Sequence, residues 1–301
     1  MDINYELYKV FYYVAVSLSF SEASKKLYIS QSAVSQSIKV LEQKLNQPLF
    51  IRSTKKVQLT PEGEILLRHV EPAMNLIRRG EAQIMEAHTL DGGQIRIGAS
   101  DTICRYFLVP YLNRFHREYP RVHIKVTNRT SIQCVDLLES GSVDLIFTNY
   151  PNSRLGHGLR IRYIRTFQDC FIASRKYYEE LEHRELTLKE LLDHPILMLG
   201  RNSTTSEFVH SMFQQHQLDL VPEIELSSND LLLDLASIGL GIAFVPDFCV
   251  TQKLDELFQI RLGSTLPPRQ LAIVHKEQIP LGNAARQFMD YFPEIPPPKN
   301  P

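Results

Sequence analysis

No stretch of this chain approaches the ~18 uninterrupted apolar residues that a membrane span needs. The start, MDINYELYKVFYYV, lacks a basic region followed by a long apolar run, so no signal peptide is expected. Cysteine is scarce: Cys104, Cys134, Cys170 and Cys249 lie far apart and form no CxxC pair. Buried free thiols in a reducing compartment are the expectation, and the chain is expected to be cytoplasmic. The catalytic signatures HExxH, GxSxG, GxGxxG and the Walker sequence are missing. The histidines are scattered, and His210 and His216, six apart, do not share a helix face. Neither enzyme chemistry nor a metal or cofactor is expected.

Charge of one sign is also lacking, since the net charge is -1 over 301 residues. Its distribution is uneven. Residues 1–60 hold seven Lys and one Arg against three Glu and one Asp, a net +4, leaving -5 for the remainder. A modest basic footprint therefore sits on the N-terminal segment alone. The length favours two or three compact units, and 44% apolar residues supply enough material for real cores.

What is present begins with helical periodicity. Ile3, Leu7, Val10, Phe11 and Val14 form one apolar stripe. Ser21 is the expected N-cap of a second helix to about residue 27, and Ser30 that of a third to about residue 45. Ala23, Leu27, Val34, Ile38, Leu41 and Leu45 keep helical spacing and would close a small core. Outside that core the third helix carries Gln31, Ser32, Ser35, Gln36 and Lys39, side chains able to bond base edges and phosphates. Residues 49–52 and 57–60 read as two short strands, a wing beside a helix-turn-helix.

Thr60-Pro61-Glu62 is a helix start: a capping hydroxyl, proline at the first helical position, an acid in the first turn. The helix should reach toward His88. Leu66, Val70, Ala73, Ile77, Gly80, Ile84 and Ala87 alternate four and three apart, the spacing of a coiled-coil seam, though a helix packed within one chain would fit too. Pro72 inside it should cost about 3 kcal/mol or kink the helix, with a break near Glu71 as the alternative.

Asp91-Gly92-Gly93 reads as a linker, after which strands and helices alternate. Strands are expected at 95–99, 122–127 and 143–148, with helices at 104–119 and 132–140 between them. Residues 160–173 read as two extended segments, the form of a crossover. The alternation resumes over 188–245, and 271–275 should return the chain to the first half. The fold class is thus α/β multidomain, and the Pro-rich tail 293–301 is expected to be disordered.

These residues resemble the LysR-type transcriptional regulators. Phe20, Ala23, Leu27, Ser30-Gln31-Ser32-Ala33-Val34-Ser35, Ile38, Leu41-Glu42, Leu45, Leu49-Phe50, Arg52 and Leu59-Thr60-Pro61-Glu62-Gly63 fall in that family's order and spacing. The resemblance is specific over 1–63 and mainly architectural to 292. It implies a winged helix-turn-helix DNA-binding domain at 1–60 and a linker or dimerisation helix at 61–90. A two-lobed α/β effector domain similar to periplasmic solute-binding proteins would follow at 93–292, with lobe I at 93–163 and 266–292 and lobe II at 164–265.

On that resemblance Gln31, Ser32, Ser35, Gln36 and Lys39 would enter the major groove, while Arg52, Lys55 and Lys56 with Lys25 and Lys26 would touch phosphates. Gln36 stands where relatives commonly carry Arg. Between the lobes, Ser100, Thr102, Ser203 and Thr204 are the leading ligand contacts, with Thr130, Thr148 and Asn229 behind them. Each hydroxyl could equally be a plain helix cap. Arg201 would neutralise an anion and Asp101 oppose one, so ligand charge stays open, with a small anionic metabolite favoured. Peroxide-sensing relatives use a cysteine pair in the second lobe; residues 200–208 contain none, so a redox switch is not expected. The implied partners are promoter DNA with an inverted repeat, a small-molecule effector, RNA polymerase, and further copies of the chain as a homodimer or homotetramer. A solute-binding transport protein would have no use for residues 1–63, and a nucleoid-type structural DNA binder would not need a cleft-bearing domain.

Overall fold

The computed structural model describes residues 3–52, 56–87, 92–251 and 253–298. The chain divides into two compact units, residues 1–89 with 139–142 and the remainder.

In the first unit, Asn4 caps α1 (Tyr5–Ser17) by accepting from the Glu6 N–H at 2.9 Å. Helix α2 (Phe20–Leu27) is capped by Ser19, not by the expected Ser21: the Ser19 hydroxyl accepts from Glu22 N at 3.2 Å. The reason is tertiary. Phe20 must enter the helix to bury its ring against Phe50, 5.9 Å away edge-on, which starts the helix two residues earlier. Ser30 caps α3 (Gln31–Leu45) as expected, accepting from Ala33 N at 3.2 Å, and Asn46 ends it in the left-handed region. Phe11, Val14, Ala23, Val34, Ile38 and Leu41 are wholly buried and close the core of this unit.

Strands β1 (Phe50–Arg52) and β2 (Val57–Leu59) pair antiparallel as the wing. The Glu42 carboxylate accepts from Leu49 N (2.8 Å) and Phe50 N (3.2 Å), tying the wing to α3. Thr60 Oγ1 accepts from Gly63 N at 3.0 Å and donates to Pro48 O at 2.8 Å, fixing the start of α4 (Pro61–Ala87). Contrary to a break near Glu71, α4 runs unbroken through Pro72. One missing N–H among 27 residues is tolerated because the neighbouring turns are good helix formers. The apolar seam is split. Leu66 and Val70 pack into the core of the unit, whereas Ile77 and Ile84 are more than half exposed and a Cβ at Gly80 would meet open space. Its end beyond residue 87 lies outside the described residues.

The second unit holds two five-stranded sheets. Strands β3 (Gly93–Ala99), β4 (Val122–Asn128), β5 (Leu145–Tyr150) and β6 (Leu159–Phe167) belong to the first. Its helices are α5 (Asp101–Ile103) and α6 (Val109–Glu118), joined by a π-turn over Cys104–Leu108, and α7 (Ser131–Glu139). This run begins at Asp101, three residues before the expected start, because Ser100 caps it.

The second sheet takes β7 (Asp169–Ser174), β9 (Ile196–Leu199), β10 (Ile224–Leu226), β11 (Ile242–Pro246) and β12 (Leu257–Gln259). A short strand β8 (Glu185–Leu186) pairs with β13 (Arg261–Leu262) beside it. Helices α8 (Leu188–Leu191), α9 (Thr204–Gln215) and α10 (Asn229–Ser237) complete this lobe. The chain then returns as β14 (Arg269–Lys276), followed by α11 (Asn283–Met289).

Sheet orders are β4-β3-β5-β14-β6 and β10-β9-β11-β7-β12, parallel except where β14, β7 and β12 pair antiparallel. Strand β6 stays in the first sheet to Phe167, beyond the expected lobe border at 163/164, because its pairing with β14 persists to Arg269↔Phe167. Leu266, expected in lobe I, is packed in the core of the second lobe. The described part of the tail is held, not loose: Ile295 N donates to Tyr163 O at 2.8 Å and Gln270 Nε2 to Pro296 O at 3.0 Å. One edge carbonyl of β6, that of Tyr163, thereby gains a partner.

Among the described residues no helix is long and apolar enough to cross a membrane, and no cluster of His, Cys, Asp and Glu could hold a metal. Cys134, Cys170 and Cys249 are buried free thiols and Cys104 is half-buried. Burial pushes Cys104 up to about 11 and Cys134 up to about 12, and it raises Cys170 and Cys249 further still.

Candidate functional sites

Helix α3 presents its first turns to solvent. Gln31, Ser32, Gln36 and Lys39 are exposed and Ser35 is half-buried, because Val34, Ile38 and Leu41 turn the opposite face inward. Ser30 and Ser32 hydroxyls lie 2.8 Å apart, so the cap and the second helical residue share one proton chain. Lys25 and Lys26 end α2 on the exposed surface. Lys25 holds Glu22 at 2.9 Å, and this contact keeps the Glu22 carboxyl below its ordinary range. Part of the positive charge expected for phosphates is therefore already engaged. Lys56 is exposed on the wing. Lys55 and the side chain of Arg52 lie outside the described residues. The turn before α3 also exposes Tyr28 at 95%, an aromatic whose helical spacing gave no hint of its position.

In the second unit a cavity of about 950 Å³ opens between the two sheets. Ser100, Thr102, Thr130, Arg201, Ser203, Thr204 and Asn229 all lie in its wall. Thr148 does not. It is wholly buried, its hydroxyl donating to Asn149 O (3.2 Å) and accepting from Asn152 Nδ2 (2.9 Å). Strand alternation explains the error: Asn149, the next residue, faces the cavity instead.

Helix ends dominate the wall. Ser100 accepts from Ile103 N (3.3 Å), Thr130 from Gln133 N (3.2 Å), Ser203 from Ser206 N (3.1 Å) and Ser228 from Leu231 N (3.4 Å). Four hydroxyl-capped helix N-termini thus converge on one space, two from each lobe. Each brings free backbone N–H groups and a partial positive charge. The lining ions cancel: Asp101 and Glu225 face Arg129 and Arg201. Field direction is left to the helix ends.

Hydrogen bonds link the two lobes. Asn229 Nδ2 donates to Thr102 Oγ1 at 2.8 Å, the Tyr106 hydroxyl to Asp230 at 2.5 Å, and the Ser153 hydroxyl to Glu207 at 2.9 Å. Burial and the Asp230 bond together push the Tyr106 hydroxyl well above its ordinary range, so it remains a donor. Asn149, Thr205 and Ser228 were missed by sequence reading. Ser228-Asn229 follows a strand and precedes a helix, the same signal that identified Ser100 and Ser203, and could have been found by it.

Two family descriptions match this chain. "Bacterial regulatory helix-turn-helix protein, lysR family" matches residues 5–64, and "LysR substrate binding domain" matches residues 88–295. The transcriptional activator CmpR of Synechocystis sp. (strain ATCC 27184 / PCC 6803 / Kazusa) is 27% identical over 287 residues, covering 95% of this chain and 93% of CmpR. Full-length CbnR, solved in complex with its target DNA, superposes with a TM-score of 0.66 at 19% identity, covering 96% of this chain and 99% of CbnR. The regulatory domain of Synechocystis PCC6803 CcmR, solved in complex with 2-PG, gives a TM-score of 0.60 at 20% identity. It covers 66% of this chain and 95% of that domain.

Proposed function

This chain belongs to the LysR family of bacterial helix-turn-helix transcriptional regulators, and from that premise we propose which residues read DNA and what its cavity binds. It is a DNA-binding regulator with an effector-binding domain; the function proposed is binding, exerted in the cytoplasm, and not catalysis. Gln31, Ser32, Ser35, Gln36 and Lys39 read base edges from the major groove, while Lys25, Lys26, Arg52, Lys55 and Lys56 grip phosphates. Two chains pair through the open apolar half of α4, setting two recognition helices about one DNA turn, roughly 34–36 Å, apart on an inverted repeat.

The effector is a small oxyanion-bearing metabolite held between the lobes. One observation carries this reading: four hydroxyl-capped helix N-termini open on a cavity whose side-chain charges cancel. The capping oxygens are occupied as acceptors, and Ser203 gives its proton to Gly200 O at 3.0 Å, so the wall offers the protons of Ser100, Thr130 and Ser228 beside its free backbone N–H groups. CcmR with 2-PG supports the class of ligand. Binding shifts the protein toward whichever lobe arrangement holds the anion better.

Calorimetry of the full chain against 2-PG, sulfate and phosphate tests the cavity. Binding that is lost in Ser100→Ala and Ser203→Ala is expected; equal affinity in both variants would refute the assignment. For the DNA face, Gln31→Ala should weaken cognate binding by about 1–3 kcal/mol and leave random duplex binding unchanged. Equal loss on both duplexes would remove the base contact.

A further inference from the structure

Arg269 opens β14 and is the largest fully buried side chain among the described residues, with no exposure of its side chain. Its Nη1 donates to Asp169 Oδ2 at 3.0 Å and to Thr205 Oγ1 at 3.1 Å. The guanidinium carbon lies 5.4 Å from the centre of the Phe167 ring and 4.9 Å from that of Phe208. Among the described residues, Nε and Nη2 of Arg269 and Oδ1 of Asp169 find no hydrogen-bond partner. A buried ion pair left partly unsatisfied is a poor way to gain stability, since apolar side chains of similar volume commonly do as well or better. Its position suggests another use.

The chain passes between the lobes twice. Asp169 is the first residue of β7 after the first passage, and Arg269 is the first residue of β14 after the second. Thr205 is the second residue of α9 and lines the cavity. One guanidinium therefore touches both passages and the cavity wall. The hydrogen-bond sense follows from chemistry: arginine can only donate, so the Thr205 oxygen accepts, and its own proton is left to be given elsewhere.

Resting on the oxyanion reading of the cavity, we propose that Arg269 is a positioning residue for the ligand. By filling the acceptor side of Thr205, it makes that hydroxyl present its proton to an anion at the N-terminus of α9. The chain Arg269→Thr205→oxyanion polarises along its length, which favours an acceptor-only group over a neutral hydroxyl at this place. It also ties the bound anion, which contacts α9 of the second lobe, to a strand of the first.

The test is calorimetry of the full chain with sulfate, phosphate and 2-PG as probes. Thr205→Val, which keeps shape and loses the hydroxyl, should weaken the anion bound by the wild type roughly tenfold. Thr205→Ser should stay within about twofold, by the same hydrogen-bond argument. Arg269→Met should weaken binding in the wild-type background and add less than about twofold in the Thr205→Val background, because the pair acts as one unit. Equal affinity in Thr205→Val and the wild type, or an equal loss from Arg269→Met in both backgrounds, would overturn the relay while leaving the cavity reading intact. Should Arg269→Met fail to fold, Asp169→Asn takes its place: removing the counter-charge should tighten anion binding about threefold or more only where Thr205 keeps its hydroxyl. No change there overturns the proposal. If none of the three anions binds the wild type, the oxyanion reading fails and the relay with it.

Discussion

Replacing Glu42 tests how the wing is held on the recognition helix. Glu42 lies in α3, and one of its carboxylate oxygens accepts from Leu49 N at 2.8 Å and Phe50 N at 3.2 Å. Leu49 and Phe50 are 2% and 6% exposed, so water cannot freely replace the lost acceptor. A hydrogen bond to a charged group contributes about 1.5–3 kcal/mol, and the second, longer bond shares the same oxygen. Glu42→Ala should therefore cost roughly 2–3 kcal/mol, while Glu42→Gln, which keeps an acceptor, should cost about 1 kcal/mol. In a domain of 60–100 residues each kcal/mol moves Tm by about 4–8 °C, so the alanine variant should melt about 8–24 °C lower. Thermal scans would measure this, with amide exchange at Leu49 and Phe50 as the local readout. DNA binding gives an independent sign. Both variants remove a negative charge from the DNA-binding unit, which alone would strengthen binding to random duplex. A loosened wing does the reverse, so Glu42→Ala should bind more weakly than Glu42→Gln. Refutation would be an alanine variant that melts within about 2 °C of wild type with unchanged exchange at both amides.

Gly63→Ala should destabilise the same unit by about 1–3 kcal/mol, because the added Cβ would sit 2.2 Å from the Leu49 carbonyl oxygen. A melting temperature equal to wild type would show that this backbone gives way freely. Burial, against the pull of the Lys276 carbonyl and aided by Arg160 and Arg162, holds His275 below its ordinary 6.5. The unfolded chain then takes the proton first as pH falls. Stability is full above about 6.5 and is lost from there down toward the folded value. Urea melts at pH 7.5 and 5.5 should show a shallower pH dependence in His275→Gln; identical dependence would defeat the assignment. The Cys104 thiol, pushed up to about 11 by burial, should react with iodoacetamide far more slowly at pH 8 than an exposed cysteine. Labelling at the rate of a small thiol would contradict its burial.

Much of the fold was legible because its signals are local. Ser30, Thr60, Ser100 and Ser203 each stand just before a helical run, and each caps the helix it announces. Errors arose where two local solutions were equal. Ser19 and Ser21 are chemically alike, and only the fit of Phe20 against Phe50 chooses between them. Thr148 and Asn149 are neighbours near the end of β5, and only the pleat decides which one meets the cavity. The seam of α4 is visible as spacing, yet its first half is used inside the unit because α1 and the wing supply partners there. Arg269 carried no signal: Pro-Pro-Arg between turns reads as surface loop, and its burial depends on contacts 64 and 100 residues distant.

The order of strands in the first lobe has a consequence for biosynthesis. Strand β14 lies between β5 and β6, yet it is made last, after the whole second lobe has been translated. Until residues 269–276 leave the ribosome, β5 and β6 have no common neighbour and two rows of backbone groups stay open. The second lobe, continuous in sequence, can fold first, while a nascent chain stopped before β14 presents exposed sheet edges to chaperones or to other nascent chains. Truncation here would thus do more than remove an end: it would take out the strand that closes the sheet.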